Sequence, residues 1–257
     1  GIHTVITSKV LTAVREWQEH YFLVGPDLRK GEGEHPEFRE DQGLFEALKH
    51  KTEERGLKVR IGRWKIPGSP VVILVDHTSL FSSKDEIFKE LWLHFQVDSL
   101  RGSWDYIEPA LFGYSAGMLI ECFYQCYFSF SDLIVAHFHE WLSAAGVLYL
   151  ERTVPQIATV FTTHATVLGR ALAGNEQPFY SGLPDFDTAA EAKKWKVIAK
   201  HSLEKAGAHY ADCFTTVSSI TAKECVHFLD KQPDVITING FDNTMVPVSY
   251  QLKQKRS

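Results

Sequence analysis

The segment Ser69 to Asp76 (SPVVILVD) is almost continuously apolar, a pattern that suits a strand covered on both faces, as in a parallel sheet. Ser131 to His137 (SDLIVAH) and Pro155 to Thr163 (PQIATVFTT) repeat it. Shorter apolar runs at His20 to Gly25, Cys213 to Val217 and Val235 to Ile238 extend the series, and Lys58 to Trp64, which alternates imperfectly, reads as a further strand. Between the strands the apolar spacing lengthens to that of a helix. Ser83-Lys84-Asp85-Glu86 resembles a capping box opening a helix that carries Ile87, Leu91, Trp92 and Phe95. Tyr106 to Phe128 reads as a second helix, in which Gly113 and Gly117 allow close packing. A third helix runs through Leu150, a long charged one spans Asp187 to Ala211, and another spans Ser219 to Leu229. Gly25-Pro26 marks a turn, and the Gly-, Pro- and charge-rich stretch Arg29 to Asp41 a surface excursion. Strands alternating with helices imply right-handed crossovers, so the expected fold is α/β: a Rossmann-like, doubly wound parallel sheet with helices on both faces.

Composition narrows the class. The chain has 257 residues, 44% hydrophobic and 23% charged, which is enough apolar material for a sizeable core. Its net charge of −5 at pH 7 lacks the cation surplus that non-specific nucleic-acid binding needs. The greasiest stretch, Ala110 to Phe130, is interrupted by Glu121, Gln125 and Ser129 and does not read as a membrane span. Four cysteines (Cys122, Cys126, Cys213 and Cys225) are too few and too scattered for a disulfide scaffold and read as buried thiols of a reducing compartment. The opening Gly1-Ile2-His3-Thr4 has neither an initiating Met nor a signal-peptide pattern and reads as a chain cut into. Pro247 to Ser257 is polar and basic, an exit linker or a ragged end.

In open parallel sheets ligands bind beyond the carboxyl ends of the strands. Those ends carry His137-Phe138-His139-Glu140-Trp141, Thr162-Thr163-His164-Ala165-Thr166, Thr216-Val217-Ser218 and Asn239-Gly240-Phe241-Asp242. Four consecutive strands thus deliver His, Thr, Ser or Asn to one edge, a convergence that packing alone does not explain because buried polar groups are costly unless paired. His137 and His139, at i and i+2, share a strand face. Thr163, Ser218 and Asn239 serve equally as helix caps or turn residues, and Glu140 suits the N-terminus of the following helix. No Gly-x-Gly-x-x-Gly follows a strand, no Walker-type motif is present, and the one Gly-x-Ser-x-Gly run, Gly113 to Gly117, falls inside the expected helix Tyr106 to Phe128 and makes no strand-to-helix elbow, which weakens dinucleotide, P-loop and serine-hydrolase readings.

Taken together, Tyr21-Phe22-Leu23-Val24-Gly25-Pro26, Gly62-Arg63-Trp64, His137-Phe138-His139-Glu140-Trp141-Leu142, Phe161-Thr162-Thr163-His164-Ala165-Thr166-Val167-Leu168-Gly169-Arg170, Phe214-Thr215-Thr216-Val217-Ser218 and Asn239-Gly240 resemble the N-terminal half of the animal- and fungal-type glycogen synthase family. The opening Gly1-Ile2-His3-Thr4-Val5 is similar to the end of that family's Lys-Val-Gly-Gly-Ile motif. The resemblance implies the N-terminal Rossmann-like domain of a GT-B glycosyltransferase over residues 1–246, with 247–257 leading out and the C-terminal nucleotide-sugar domain absent. It implies retaining transfer of glucose from UDP-glucose to the 4-hydroxyl at the non-reducing end of an α-1,4-glucan such as glycogen, in the cytoplasm, without cofactor, metal, nucleic acid or membrane. A homo-oligomer of the full-length protein is compatible with it. By resemblance His139 reaches the donor glucose and is catalytic, Gly1 and Asn239 bind the donor, and His137, Thr163 and His164 line the cleft. The fragment alone is expected to be inactive.

Two other readings stand beside it. His137-x-His139 with His164 and an acid such as Asp242 has the look of a zinc site in a metal-dependent hydrolase. Trp17, Trp64, Trp104 and Tyr180 offer rings on which sugars stack in a non-catalytic glucan-binding module.

Overall fold

A computed structural model describes residues 2–28, 37–177, 180, 183 and 186–240. Gly1, Asp242 and the 247–257 segment lie outside the described residues. The strands are β1 (Phe22–Pro26), β2 (Phe38–Glu40), β3 (Lys58–Trp64), β4 (Val71–Asp76), β5 (Val135–His139), β6 (Ala158–Thr163), β7 (Cys213–Thr216) and β8 (Val235–Ile236). The helices are α1 (Ile2–Trp17), α2 (Glu46–Glu54), α3 (Lys84–Phe95), α4 (Trp104–Tyr127), α5 (Ala144–Thr153), α6 (Val167–Gly174), α7 (Thr188–Lys194), α8 (Ile198–Tyr210) and α9 (Ser219–Phe228).

The strands form two four-stranded sheets, ordered β1-β4-β3-β2 and β5-β6-β7-β8. The second is parallel throughout, as the alternation of strand and helix predicts. The first departs from the all-parallel expectation: β1 runs parallel to β4, but β3 is antiparallel to both β4 and β2. Its β3–β4 connection, Lys65 to Pro70, is a short turn with Gly68 at φ 92°, and a connection this short joins only antiparallel strands. Phe38–Glu40 therefore belongs to a sheet, although it falls inside the stretch expected to be a surface excursion.

Other departures have local causes. The expected capping box does not form: a 3-10 turn at Thr78–Ser83 leads straight into α3, and the Ser83 side chain caps nothing. The charged stretch after Asp187 splits into α7 and α8 at Trp195-Lys196-Val197, where Lys196 takes φ 57°. Asp187 caps α7, accepting from the N–H groups of Ala189 and Ala190 at 3.0 Å. Helices α1 and α2 lie in segments whose apolar spacing predicted no element.

Phe138, Phe161 and Phe214 stand side by side on β5, β6 and β7 and share a core with Leu148 of α5 and Leu203 of α8. Helix α4 closes onto α5 through small residues, as its glycines suggest. A Cβ on Gly113 would come within 3.1 Å of the Leu142 and Ser143 backbone, and one on Gly117 within 2.8 Å of Tyr149. No described helix is long and apolar enough to cross a membrane. The four thiols are free, Cys122 and Cys225 buried and Cys126 and Cys213 partly so.

Candidate functional site

The parallel register sets His139 opposite Thr162, Thr162 opposite Thr215, and Thr215 opposite Val235. The strand ends therefore share one edge. His164 follows β6 by one residue, and Asn239 follows β8 by three. Thr237 continues the β7–β8 ladder by donating its N–H to Thr216 at 2.7 Å, and Asn239 emerges exposed just beyond it. With adjacent strands about 4.8 Å apart, β8 lies three spacings, roughly 14 Å, from β5 along this edge.

Three imidazoles gather at the β5–β6 end. The rings of His137 and His139 lie 4.1 Å apart, and those of His139 and His164 5.4 Å apart. Nδ1 of His139 approaches Nε2 of His164 at 3.2 Å. Nε2 of His137 meets the Thr162 hydroxyl at 2.7 Å, which in turn meets the Thr215 hydroxyl at 2.6 Å. With its Nδ1 engaged, His139 has Nε2 left for a ligand. Nδ1 of His164 is buried without a hydrogen-bond partner, an unmet polar atom at one end of the cluster.

All three rings are held neutral. Burial pushes His139 down to about 3, with the neighbouring imidazoles and Lys9 of α1 adding like-charge penalties. His137 falls to about 4, again chiefly through burial, although part of its ring stays open to solvent. His164 is lowered for the same leading reason. Neutral imidazoles can each donate at one nitrogen and accept at the other, which suits hydroxyl groups.

The loop carrying His164 is tied down by buried carboxylates that the sequence reading did not single out. Glu204 of α8, fully buried, accepts from the Thr163 hydroxyl at 3.2 Å and from the N–H of Val167 at 2.8 Å. Burial pushes its pKa up to about 8. Glu224 of α9 accepts from the Thr166 hydroxyl at 2.6 Å and the Tyr180 hydroxyl at 2.8 Å, while Thr166 caps α6 through the N–H of Gly169. A glutamate amid the apolar residues Leu203, Ala206, Gly207 and Ala208 was the available signal for Glu204. Thr163 is wholly buried with its hydroxyl turned to Glu204, so its neighbour Thr162 is the threonine in touch with the histidines. Ser218 caps α9 through the N–H of Thr221 at 3.1 Å.

Glu140 does not cap the helix after β5, contrary to the expectation from sequence. Its φ of 65° and ψ of 162° lie in a region that costs a residue with a side chain on the order of 1–3 kcal/mol. From there the buried carboxylate turns to Arg170 of α6, whose guanidinium it meets at 2.5 Å.

The hydrolase reading gains no geometric support. Among the described residues no group of three or more His, Cys, Asp or Glu side chains is arranged to hold a metal ion, because His139 and His164 turn nitrogens toward each other instead of toward a common point. The rings offered for sugar stacking are dispersed: Trp17 packs by Tyr21, Trp64 by His3 and Trp104 by Phe81.

A cavity of about 280 Å³ lies away from the histidines, lined in part by Arg55, Glu90, Tyr114, Met118, Tyr149 and Arg152. Its cations are already matched: Arg55 meets Glu121 and Tyr149, and Arg152 meets Glu90. The histidine edge, where Nδ1 of His164 is left unmet, is the better candidate.

A family model described as glycogen synthase matches residues 1–251. The glycogen (starch) synthase of Neurospora crassa is 32% identical over 254 residues, covering 98% of this chain and 36% of its own length. That of Caenorhabditis elegans is 35% identical over 249 residues, covering 94% of this chain and 36% of its own length. The liver glycogen (starch) synthase of Homo sapiens is 34% identical over 247 residues, covering 94% and 34%. The chain thus spans about a third of the length of the curated relatives it matches.

Proposed function

We propose that this chain, which belongs to the glycogen synthase family, supplies the sugar-binding edge of a retaining glucosyltransferase of GT-B architecture. The full-length protein would transfer glucose from UDP-glucose to the 4-hydroxyl at the non-reducing end of an α-1,4-glucan in the cytoplasm. The observation that carries this reading is the imidazole cluster at the carboxyl edge of a parallel sheet, in a chain matched by the family over nearly its whole length.

The chemistry follows from charge. Loss of a nucleoside diphosphate leaves positive charge at the anomeric carbon, so a residue touching the sugar serves best as a neutral hydrogen-bonding group. His139, kept uncharged by burial, meets that requirement and is assigned to the donor glucose through Nε2. His137 and His164 line the same opening, and Asn239 approaches from β8. The Gly1 backbone is assigned to the diphosphate, where a residue without Cβ permits close approach. Further cations that neutralise the departing diphosphate are assigned to the part of the family's length that this chain does not span.

Incubation of the full-length protein with radiolabelled UDP-glucose and glycogen tests the reading. Label is expected in polymer that α-amylase digests. Label recovered only as free glucose, or none transferred, contradicts it.

A further inference from the structure

Glu140 is a junction of hydrogen bonds, some within the segment that carries His139 and others across to the segment that carries His164. The main-chain N–H of Glu140 donates to the carbonyl of Thr162 at 2.8 Å, extending the β5–β6 ladder past its last pair. The carbonyl of Glu140 accepts from the N–H of Ser143 at 3.1 Å, and the Ser143 hydroxyl donates to the carbonyl of His139 at 2.8 Å. The carboxylate meets Nη2 of Arg170, whose Nε donates to the carbonyl of Ala165, the residue beside His164. Burial raises the pKa of this carboxyl, and Arg170 and the main-chain N–H of His164 oppose that shift by favouring its charged form.

Glycine would take this backbone conformation without strain. A glutamate stands there, buried, and from this strained backbone its side chain reaches Arg170 of the partner segment. Strain of this kind persists where surrounding structure enforces it, and it collects at functional sites. The link from Glu140 through Arg170 to Ala165 spans the same two segments as the contact between the imidazoles.

We propose that Glu140 is a positioning residue that, through Arg170, sets the placement of His139 against His164. The effect on catalysis rests on the glucosyltransferase reading above; the placement itself does not.

The test uses full-length protein and the variants Glu140→Gln, Glu140→Gly and Arg170→Met. Glu140→Gln keeps the shape and removes the charge. Misplacing a reacting group by about an ångström costs up to about 100-fold in rate, so kcat with UDP-glucose and glycogen is expected to fall about 10- to 100-fold while KM and Tm stay near wild type. Glu140→Gly relaxes the backbone and removes the tie, and its kcat is expected to fall at least as far. The Glu140→Gln and Arg170→Met losses are expected to be non-additive in the double variant, since both cut one connection. A Glu140→Gln kcat within twofold of wild type, or a loss accounted for by unfolded protein, overturns the proposal. A second readout needs no activity: modification of His139 by diethylpyrocarbonate, followed by peptide mass spectrometry, is expected to speed up several-fold in Glu140→Gln. An unchanged rate overturns the placement. A wild-type protein that transfers no glucose overturns the functional reading, and the labelling comparison then decides this proposal alone.

Discussion

Nδ1 of His139 and Nε2 of His164 lie 3.2 Å apart, although the two residues are 25 positions apart in the chain. A β5–α5–β6 crossover and a parallel register bring them to one sheet edge. Each can engage the other only while at least one ring is neutral, which makes the arrangement sensitive to acid.

The pKa values of His137 and His139 are depressed to about 4 and about 3, and that of His164 is depressed too. The unfolded chain takes up protons on these groups from about pH 6.5 downward, before the folded chain does. Their contribution to stability is therefore whole above pH 6.5 and lost as pH falls toward 3. Lowering the pH from 7 to 5 is expected to favour the urea midpoint of His137→Gln relative to that of the wild-type chain, because the variant lacks one of these groups.

Glu204 has the opposite sign. Its folded pKa is raised to about 8, above its unfolded value, so the penalty grows as pH rises through that interval. Glu204→Gln keeps an acceptor oxygen for the N–H of Val167 and turns an amide N–H toward the Thr163 hydroxyl, which can accept it. It is expected to leave stability near wild type at pH 5 and to raise the urea midpoint at pH 8.5. A lower midpoint at pH 8.5 would count against a carboxyl destabilised by burial.

Thr162 joins His137 to Thr215. Thr162→Val preserves shape and removes both hydrogen bonds, leaving polar partners unmet. A loss of about 1–3 kcal/mol in unfolding free energy is expected, against a much smaller loss for a valine at an exposed threonine such as Thr4.

Gly146 faces Phe138 and the carbonyl of Gly113, which a Cβ would approach to 2.4 and 2.6 Å. Gly146→Ala is expected to cost about 1–3 kcal/mol through overpacking between α4, α5 and β5. Thermal unfolding of the variant measures it directly.

In the parallel half, β6 and β7 were legible because they are largely buried and carry short apolar runs that include Phe161 and Phe214, while β5 alternates exposed and buried positions and β8 is exposed. The antiparallel half was harder to read. Phe38–Glu40 is three residues long, and α2 has only Leu48 and Thr52 buried, so neither leaves a periodic signature. At the site, the strand-end histidines were visible by position. The partners of the buried glutamates were not, because Glu140, Glu204 and Glu224 reach groups 30 to 58 positions away, and a single sequence carries no trace of such pairings.

The central claim is that His139 acts on the donor sugar, and the most direct test is the His139→Ala variant of the full-length protein, with glucose incorporation from UDP-glucose into glycogen measured beside Tm. Loss of one preorganised hydrogen-bonding group predicts a rate about 100- to 1000-fold below wild type with the fold retained. A folded His139→Ala protein that builds glucan at the wild-type rate would contradict it.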